Sequence, residues 1–152
     1  MYDVVSNVAE YRHFIPWCVN SVVLGTGAPS QQPCSVPEAK RAVVAHIVTQ
    51  ADLEVGFKAF REQYTSTVTC ETPWRVEARS SNSHIFRTLT TSWDFIPYSI
   101  THPHGITPED PSAPACLVRF NIEFEFASVL YSQISSVFFD QVCKEMIHAF
   151  KK

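Results

Sequence analysis

Between Val118 and Phe126 every second residue is large and apolar, and the residues between them are polar or charged. Val118, Phe120, Ile122, Phe124 and Phe126 alternate with Arg119, Asn121, Glu123 and Glu125. Successive side chains of a strand point to opposite faces, so this run carries one face suited to a core and one suited to water. A few residues later the period changes. At 100° per residue, Leu130, Tyr131, Ile134, Phe138, Val142, Met146, Ala149 and Phe150 share one broad face, which Phe139 and Cys143 extend at one edge. Gln133, Ser136, Asp140, Lys144 and His148 lie opposite. A helix from Leu130 to Phe150 spans roughly 30 Å, and its apolar stripe is wide for a surface helix. A pleated apolar face and a helical one must be buried against each other, which constrains the fold to a sheet covered by its last helix.

The upstream chain fits that plan. Met1 to Val8 and Glu10 to Phe14 read as two short helical segments, the second stopped by Pro16, which lacks an amide donor. Cys18 to Gly27 reads as a strand, and Gly25 to Lys40, with three prolines, as a loop that adds surface rather than core. Val43, Ala45, Ile47, Thr49, Ala51, Leu53 and Val55 alternate with polar residues including His46, Gln50, Asp52 and Glu54, a half-buried antiparallel strand that Gly56 is expected to break. Tyr64 to Glu71, Trp74 to Arg79 and Phe86 to Phe95 are further strands, and Thr and Val favour the pleated surface. Pro97 to Pro114, with five prolines, reads as a long irregular connection. Helices, a run of antiparallel strands and one long helix make an α+β fold, and 152 residues form a single domain, 1–152.

Charge and cysteine usage narrow the function. Net charge is −3, so no overall basic field invites nucleic acid. Five cysteines, Cys18, Cys34, Cys70, Cys116 and Cys143, are widely spaced without a CxxC pair, which points to reduced thiols serving as small apolar residues. No apolar run reaches the roughly 20 residues a spanning helix needs.

Catalytic and metal chemistry find little footing. His102 and His104 form an HPH pair in the proline-rich stretch, but two imidazoles without a neighbouring Cys or carboxylate cluster make a poor metal site. Cys18 near His13 suggests a thiolate and base, yet no third group or oxyanion donor can be identified. Glu123 and Glu125 share the polar face of one strand, a solvated surface rather than an acid–base pair. With four glycines and no GxGxxG, P-loop or GxSxG pattern, a phosphate cradle has no material. The reading is therefore of no catalytic residue, no metal and no enzyme. What remains is apolar surface, including eleven phenylalanines, and pattern alone leaves open whether it packs solid or encloses a ligand.

Several segments resemble the mitochondrial coenzyme Q-binding protein family, within the START or polyketide cyclase-like superfamily. They are MYDVVSNVAEYRHFIPWC at Met1 to Cys18, ADLEVGF at Ala51 to Phe57 and EQYTSTVTC at Glu62 to Cys70. The W-x-F-x-P at Trp93 to Pro97 and VRFNIEFEFASVLYSQISSVFFDQVCKEMIHAF at Val118 to Phe150 complete the likeness, which covers nearly the whole chain. Family members usually begin with a targeting segment and a first strand ahead of the MYDVV helix. Neither precedes it here, so an edge strand is expected to be lacking.

The resemblance implies a helix-grip (START-like) fold, a curved antiparallel sheet wrapped around a long C-terminal helix with a hydrophobic tunnel between them. It implies a non-enzymatic carrier of coenzyme Q (ubiquinone) or its late biosynthetic intermediates that supports respiratory electron transport and ubiquinone synthesis. Coenzyme Q enters as bound ligand and no cofactor is implied. Implied partners are a polyisoprenoid quinone, the matrix side of the mitochondrial inner membrane by peripheral contact, and quinone-biosynthesis proteins, with no nucleic acid. The expected lining is Leu53, Val55, Phe57, Trp93, Phe95, Phe120, Phe124, Phe138, Val142 and Met146. Two other readings compete: a ribosome- or protein-interaction module like the similar bacterial ribosome-associating toxins, and a cyclase-like helper acting on a ring compound.

Overall fold

The computed structural model describes residues 1–39, 42–57, 60–81, 83–84, 86–97, 116–129 and 135–151, with residues 57, 60, 81, 135–138 and 151 described by their backbone alone. The chain opens with a short helix, α1 (Tyr2–Ser6), whose Asp3 favours the positive helix start. A 3₁₀ turn over Val8–His13 follows, so both expected N-terminal segments are present. Among the described residues seven strands come next: β1 (Cys18–Thr26), β2 (Ser30–Pro33), β3 (Val43–Phe57), β4 (Phe60–Thr72), β5 (Arg75–Ser81), β6 (Phe86–Pro97) and β7 (Cys116–Phe126). Helix α2 (Ser135–Lys151) ends the fold. The stretch 98–115, and 130–134 of the expected helix, lie outside the described residues.

All strand pairs are antiparallel, in the order β1-β3-β4-β5-β6-β7. The edge of β3 is shared. Cys18 to Thr26 pair with its C-terminal half and Ser30 to Pro33 with His46 to Val43. Where the chain steps from one to the other, Gly27 donates its amide to the Val48 carbonyl at 2.7 Å, and a Cβ at Gly27 would stand 3.3 Å from that oxygen. β7 is the opposite edge, with β6 its strand neighbour among the described residues.

Two expectations are corrected here. The stretch Gly25 to Lys40 is not all loop, because β3 is 15 residues long and β1 covers only part of its edge. The backbone groups of Val43 to His46 take partners from β2, whose side chains are all exposed and so leave no periodic trace. Gly56 does not break β3 either. The β3–β4 ladder runs unbroken through Gly56–Arg61 to Phe57–Phe60, and on the other side the Gly56 amide donates to the Trp17 carbonyl at 2.8 Å.

The sheet carries a core on each face at one end. On the concave face, Val5, Val8, Val68, Cys70, Val76, Trp93 and Phe95 pack with Phe150 of α2. The Phe150 ring sits 4.5 Å from Trp93, 5.1 Å from Phe14 and 6.3 Å from Tyr11 between centroids, and Trp93 lies 4.3 Å from Phe120. On the convex face a strap, residues 34–39, crosses the strand ends and buries Cys34, Val36, Ala39, Val44 and Ile96. That segment adds core, contrary to its composition.

Polar clips fasten the strap. Buried Glu71 accepts hydrogen bonds from the Ser35 amide (2.8 Å), the Ser35 hydroxyl (2.6 Å) and the Cys34 thiol (3.4 Å), so its carboxylate is satisfied where water is excluded. At the other end, Arg119 reaches Glu38 at 2.7 Å and Asp94 at 3.6 Å. Arg75 bridges Asp94 (3.1 Å) and Glu77 (2.6 Å), and Arg79 also binds Glu77.

Truncating Trp93 to Ala removes the partner of both Phe120 and Phe150 and is expected to cost about 3–5 kcal/mol, read by urea unfolding. A second expectation concerns acid. Burial opposes the Glu77 carboxylate, but hydrogen bonds from Arg75 and Arg79 outweigh it and hold the group below the ordinary glutamate value. A depressed folded-state value stabilises the fold above the unfolded-state value, and the gain disappears as pH falls through the folded one. Stability of Glu77→Gln should therefore decline less steeply on acidification than that of the parent, measured as unfolding free energy against pH.

Candidate functional site

The register of the sheet explains why the concave face does not fill completely. One cross-strand row, Ile47–Cys70–Val76–Trp93–Phe120, is capped by Phe150. The next row is Thr49–Val68–Ala78–Thr91–Ile122. The one after it runs Ala51–Ser66, then Ser80–Leu89–Phe124, with Ser66 set opposite Ser80 by the Thr67–Arg79 pairing. The middle of these two rows is Ser66, Ala78 and Ser80. Short side chains there leave a hollow between the sheet floor and α2.

That hollow is a cavity of about 160 Å³. Leu53, Val55 and Tyr64 of β3 and β4 form one wall, and Phe86, Leu89, Ile122 and Phe124 of β6 and β7 form the other. Val142 and Met146 of α2 are the roof, Ser66, Ala78, Ser80 and Thr91 the floor, and Tyr11 and Ile15 to Cys18 the rim. The rim is held in place by its backbone. Trp17 adopts a φ of 63°, a left-handed conformation uncommon outside glycine, and its carbonyl is tied to Gly56. The Ile15 amide donates to the Tyr11 carbonyl at 2.8 Å, and the Tyr11 hydroxyl donates to the Val5 carbonyl.

None of the described lining residues carries a formal charge at neutral pH. Burial pushes the Cys18 thiol up, and burial followed by the field of nearby thiols pushes the Tyr11 phenol up, so both stay protonated. Tyr64 is raised by burial and then by Cys18. The Cys18 thiol donates to the Asn20 carbonyl at 3.4 Å, while His13 faces Glu10 at 3.7 Å. The thiol therefore has a carbonyl, not an imidazole, as its hydrogen-bond partner.

Of the residues expected to line a pocket, Leu53, Val55, Phe124, Val142 and Met146 come together on this cavity. Trp93, Phe95 and Phe120 stand beside it in the core formed with Phe150. The side chains of Phe57 and Phe138 lie outside the described residues. Sequence reasoning missed the rim from Tyr11 to Cys18 and the small floor residues. A signal for the floor existed in the run Ser66, Ala78 and Ser80, which puts small residues at inward positions of adjacent strands. His102 and His104 fall outside the described residues, and among those described no cluster of three metal-ligating side chains occurs. Glu123 and Glu125 take ordinary surface partners, Asn121 at 3.1 Å and Arg87 at 2.5 Å. All five cysteines are free. Cys34 and Cys70 are buried as the apolar reading expects, but Cys116 is exposed.

A curved antiparallel sheet and a C-terminal helix enclosing an uncharged apolar cavity define a protein of the helix-grip class. Residues 1–151 match the family model described as polyketide cyclase / dehydrase and lipid transport. The chain is 35% identical over its full length to the mitochondrial coenzyme Q-binding protein COQ10 homolog B of Xenopus laevis, of which it covers 51%. It is 30% identical over 99% of its length to the mitochondrial coenzyme Q-binding protein coq10 of Schizosaccharomyces pombe, of which it covers 75%. It is also 28% identical over its full length to the ribosome association toxin RatA of Vibrio cholerae, covering 83% of that protein. The chain belongs to the polyketide cyclase and lipid transport family and, within it, to the coenzyme Q-binding COQ10 group. It spans about half the length of the animal relative it matches. No solved structure matches it.

Filling the hollow tests whether it is the binding site. Ala78→Leu places a larger side chain on the floor, and stability should change by no more than about 1.5 kcal/mol because the space is already there. Uptake of a fluorescent lipophilic probe, followed by titration, should weaken at least tenfold.

Proposed function

We propose that this chain binds coenzyme Q or a late, long-tailed precursor in the cavity under α2 and acts as a non-catalytic carrier, docking at the matrix face of the mitochondrial inner membrane. The observation that carries this reading is the character of the cavity: apolar walls, no charged residue among the described lining, and a few hydroxyls. Such a site suits an uncharged ligand that is mostly hydrocarbon with a few polar atoms. The names of the relatives, coenzyme Q-binding and mitochondrial, point to the same ligand and compartment.

Energetics favours transfer over storage. Burying isoprenoid surface releases about 25 cal/mol per Å² relative to water, but the donor is a bilayer, which solvates the tail fully, and a cavity of about 160 Å³ encloses little of that tail. The net difference between bilayer and protein is small, so a loaded protein gives up its ligand again readily. Handover to quinone-biosynthesis proteins and support of respiratory electron transport follow from this role. The likeness to the ribosome association toxin supports a second reading, ribosome binding, against which the net charge of −3 weighs because rRNA contact draws on Lys and Arg.

Organic extraction of the purified protein followed by mass spectrometry should recover a polyisoprenoid quinone. Val142→Asp puts a charge in the cavity roof and should abolish that recovery while circular dichroism stays that of the parent. Quinone content unchanged in a folded Val142→Asp protein, or co-sedimentation with ribosomes from an empty parent, would overturn the carrier reading.

A further inference from the structure

Beneath the cavity floor lies a buried polar atom that has no partner among the described residues. Ser80 on β5 is 9% exposed and lines the cavity, and its hydroxyl makes no hydrogen bond among the described residues. Buried hydroxyls are nearly always paired, because an unpaired one forfeits its hydration for nothing. Two more hydroxyl-bearing residues stand beside it. Ser66 lies opposite on β4 and spends its hydroxyl on a long bond, 3.4 Å, to the Arg79 carbonyl. Thr91 pairs with Ala78, diagonal to Ser80 on β6. All three line the cavity, whose two walls are mostly aliphatic and aromatic.

We propose that the Ser80 hydroxyl, turned about its χ1 bond toward the cavity and flanked by Ser66 and Thr91, is the seat for an oxygen borne on the ring of the ligand, so that the ring lies on the floor and the tail leads away from it. This rests on the reading of the cavity as a quinone site. Only the ring brings polar atoms, and a tail of pure hydrocarbon would leave the Ser80 hydroxyl without a partner. Size points the same way. An apolar cavity of about 150 Å³ accepts a benzene-sized body, and 160 Å³ suits one substituted ring, not a chain of many isoprene units. A hydroxyl both donates and accepts. The same seat therefore donates to a quinone carbonyl and accepts from the phenolic hydroxyl of the reduced ring.

The test compares two ligands, a ubiquinone with a single isoprene unit and farnesene, an isoprenoid hydrocarbon without oxygen, each displacing a fluorescent lipid probe from the full chain. In Ser80→Ala, affinity for the quinone should fall about five- to tenfold with farnesene unchanged. The melting temperature of the empty protein should rise by about 2 °C, because the unpaired hydroxyl is gone. A residue with a merely structural role would move binding and stability in the same direction. Ser80→Cys, which keeps the size but donates weakly, should give an intermediate loss for the quinone and serves if the alanine variant folds poorly. Quinone affinity within twofold of the parent, equal losses for both ligands, or a lower melting temperature would overturn the seat while the carrier reading stands. A parent protein that binds neither ligand sinks both.

Discussion

Everything about the site depends on the contact of Phe150 with Trp93. It brings the C-terminal end of α2 down onto the sheet, with Phe14 and Tyr11 closing around it from the N-terminal segment. Aromatic rings of this size bury a large area and prefer the tilted and edge-on geometries found here. One and two rows away the same helix passes over Ala78 and then Ser66 and Ser80, which are too short to reach it, and the gap stays open. The cavity is thus a product of graded side-chain size along the strands: large where helix and sheet must hold, small where they must not.

Much of the architecture was legible from periodicity. The alternation of β7 and the stripe of α2 required a sheet with one covered face, and from Val118 to Phe126 the exposure of β7, half-buried at each apolar position and exposed between, follows the sequence residue by residue, while Cys116 and Leu117 at its start are exposed. β2 was not legible, because a strand with both faces in water has no hydrophobic period; its reason to exist is the unpaired edge of β3. The convex core was hidden for a related reason. Val44 and Ile96 occupy the positions that alternation assigns to water, and only the strap over them turns that face into an interior.

The cavity itself could be anticipated in kind but not in position. A list drawn from the largest apolar residues selects those that pack best, and so Trp93, Phe95 and Phe120 are found in the core. Empty space is made by what is missing from a position. Alanine and serine inside a strand look unremarkable one at a time, and they become informative only when the register lines them up across β4 and β5. The rim escaped notice because its placement rests on the Trp17 backbone and its bond to Gly56, long-range geometry that no local pattern encodes.

The two-sided core has a mechanical consequence. Where the strap crosses β3 and β6, the sheet is sandwiched between packed layers and its curvature is fixed like the root of a cantilever. Toward Leu53, Ser80 and Phe124 the strands extend beyond that sandwich, with the hollow beneath them. In such a beam displacement grows with distance from the clamp, so movement is greatest at the far end. A guest can then be accommodated by a slight spreading of the overhang against α2, while the clamped root keeps the register, and with it the floor, unchanged.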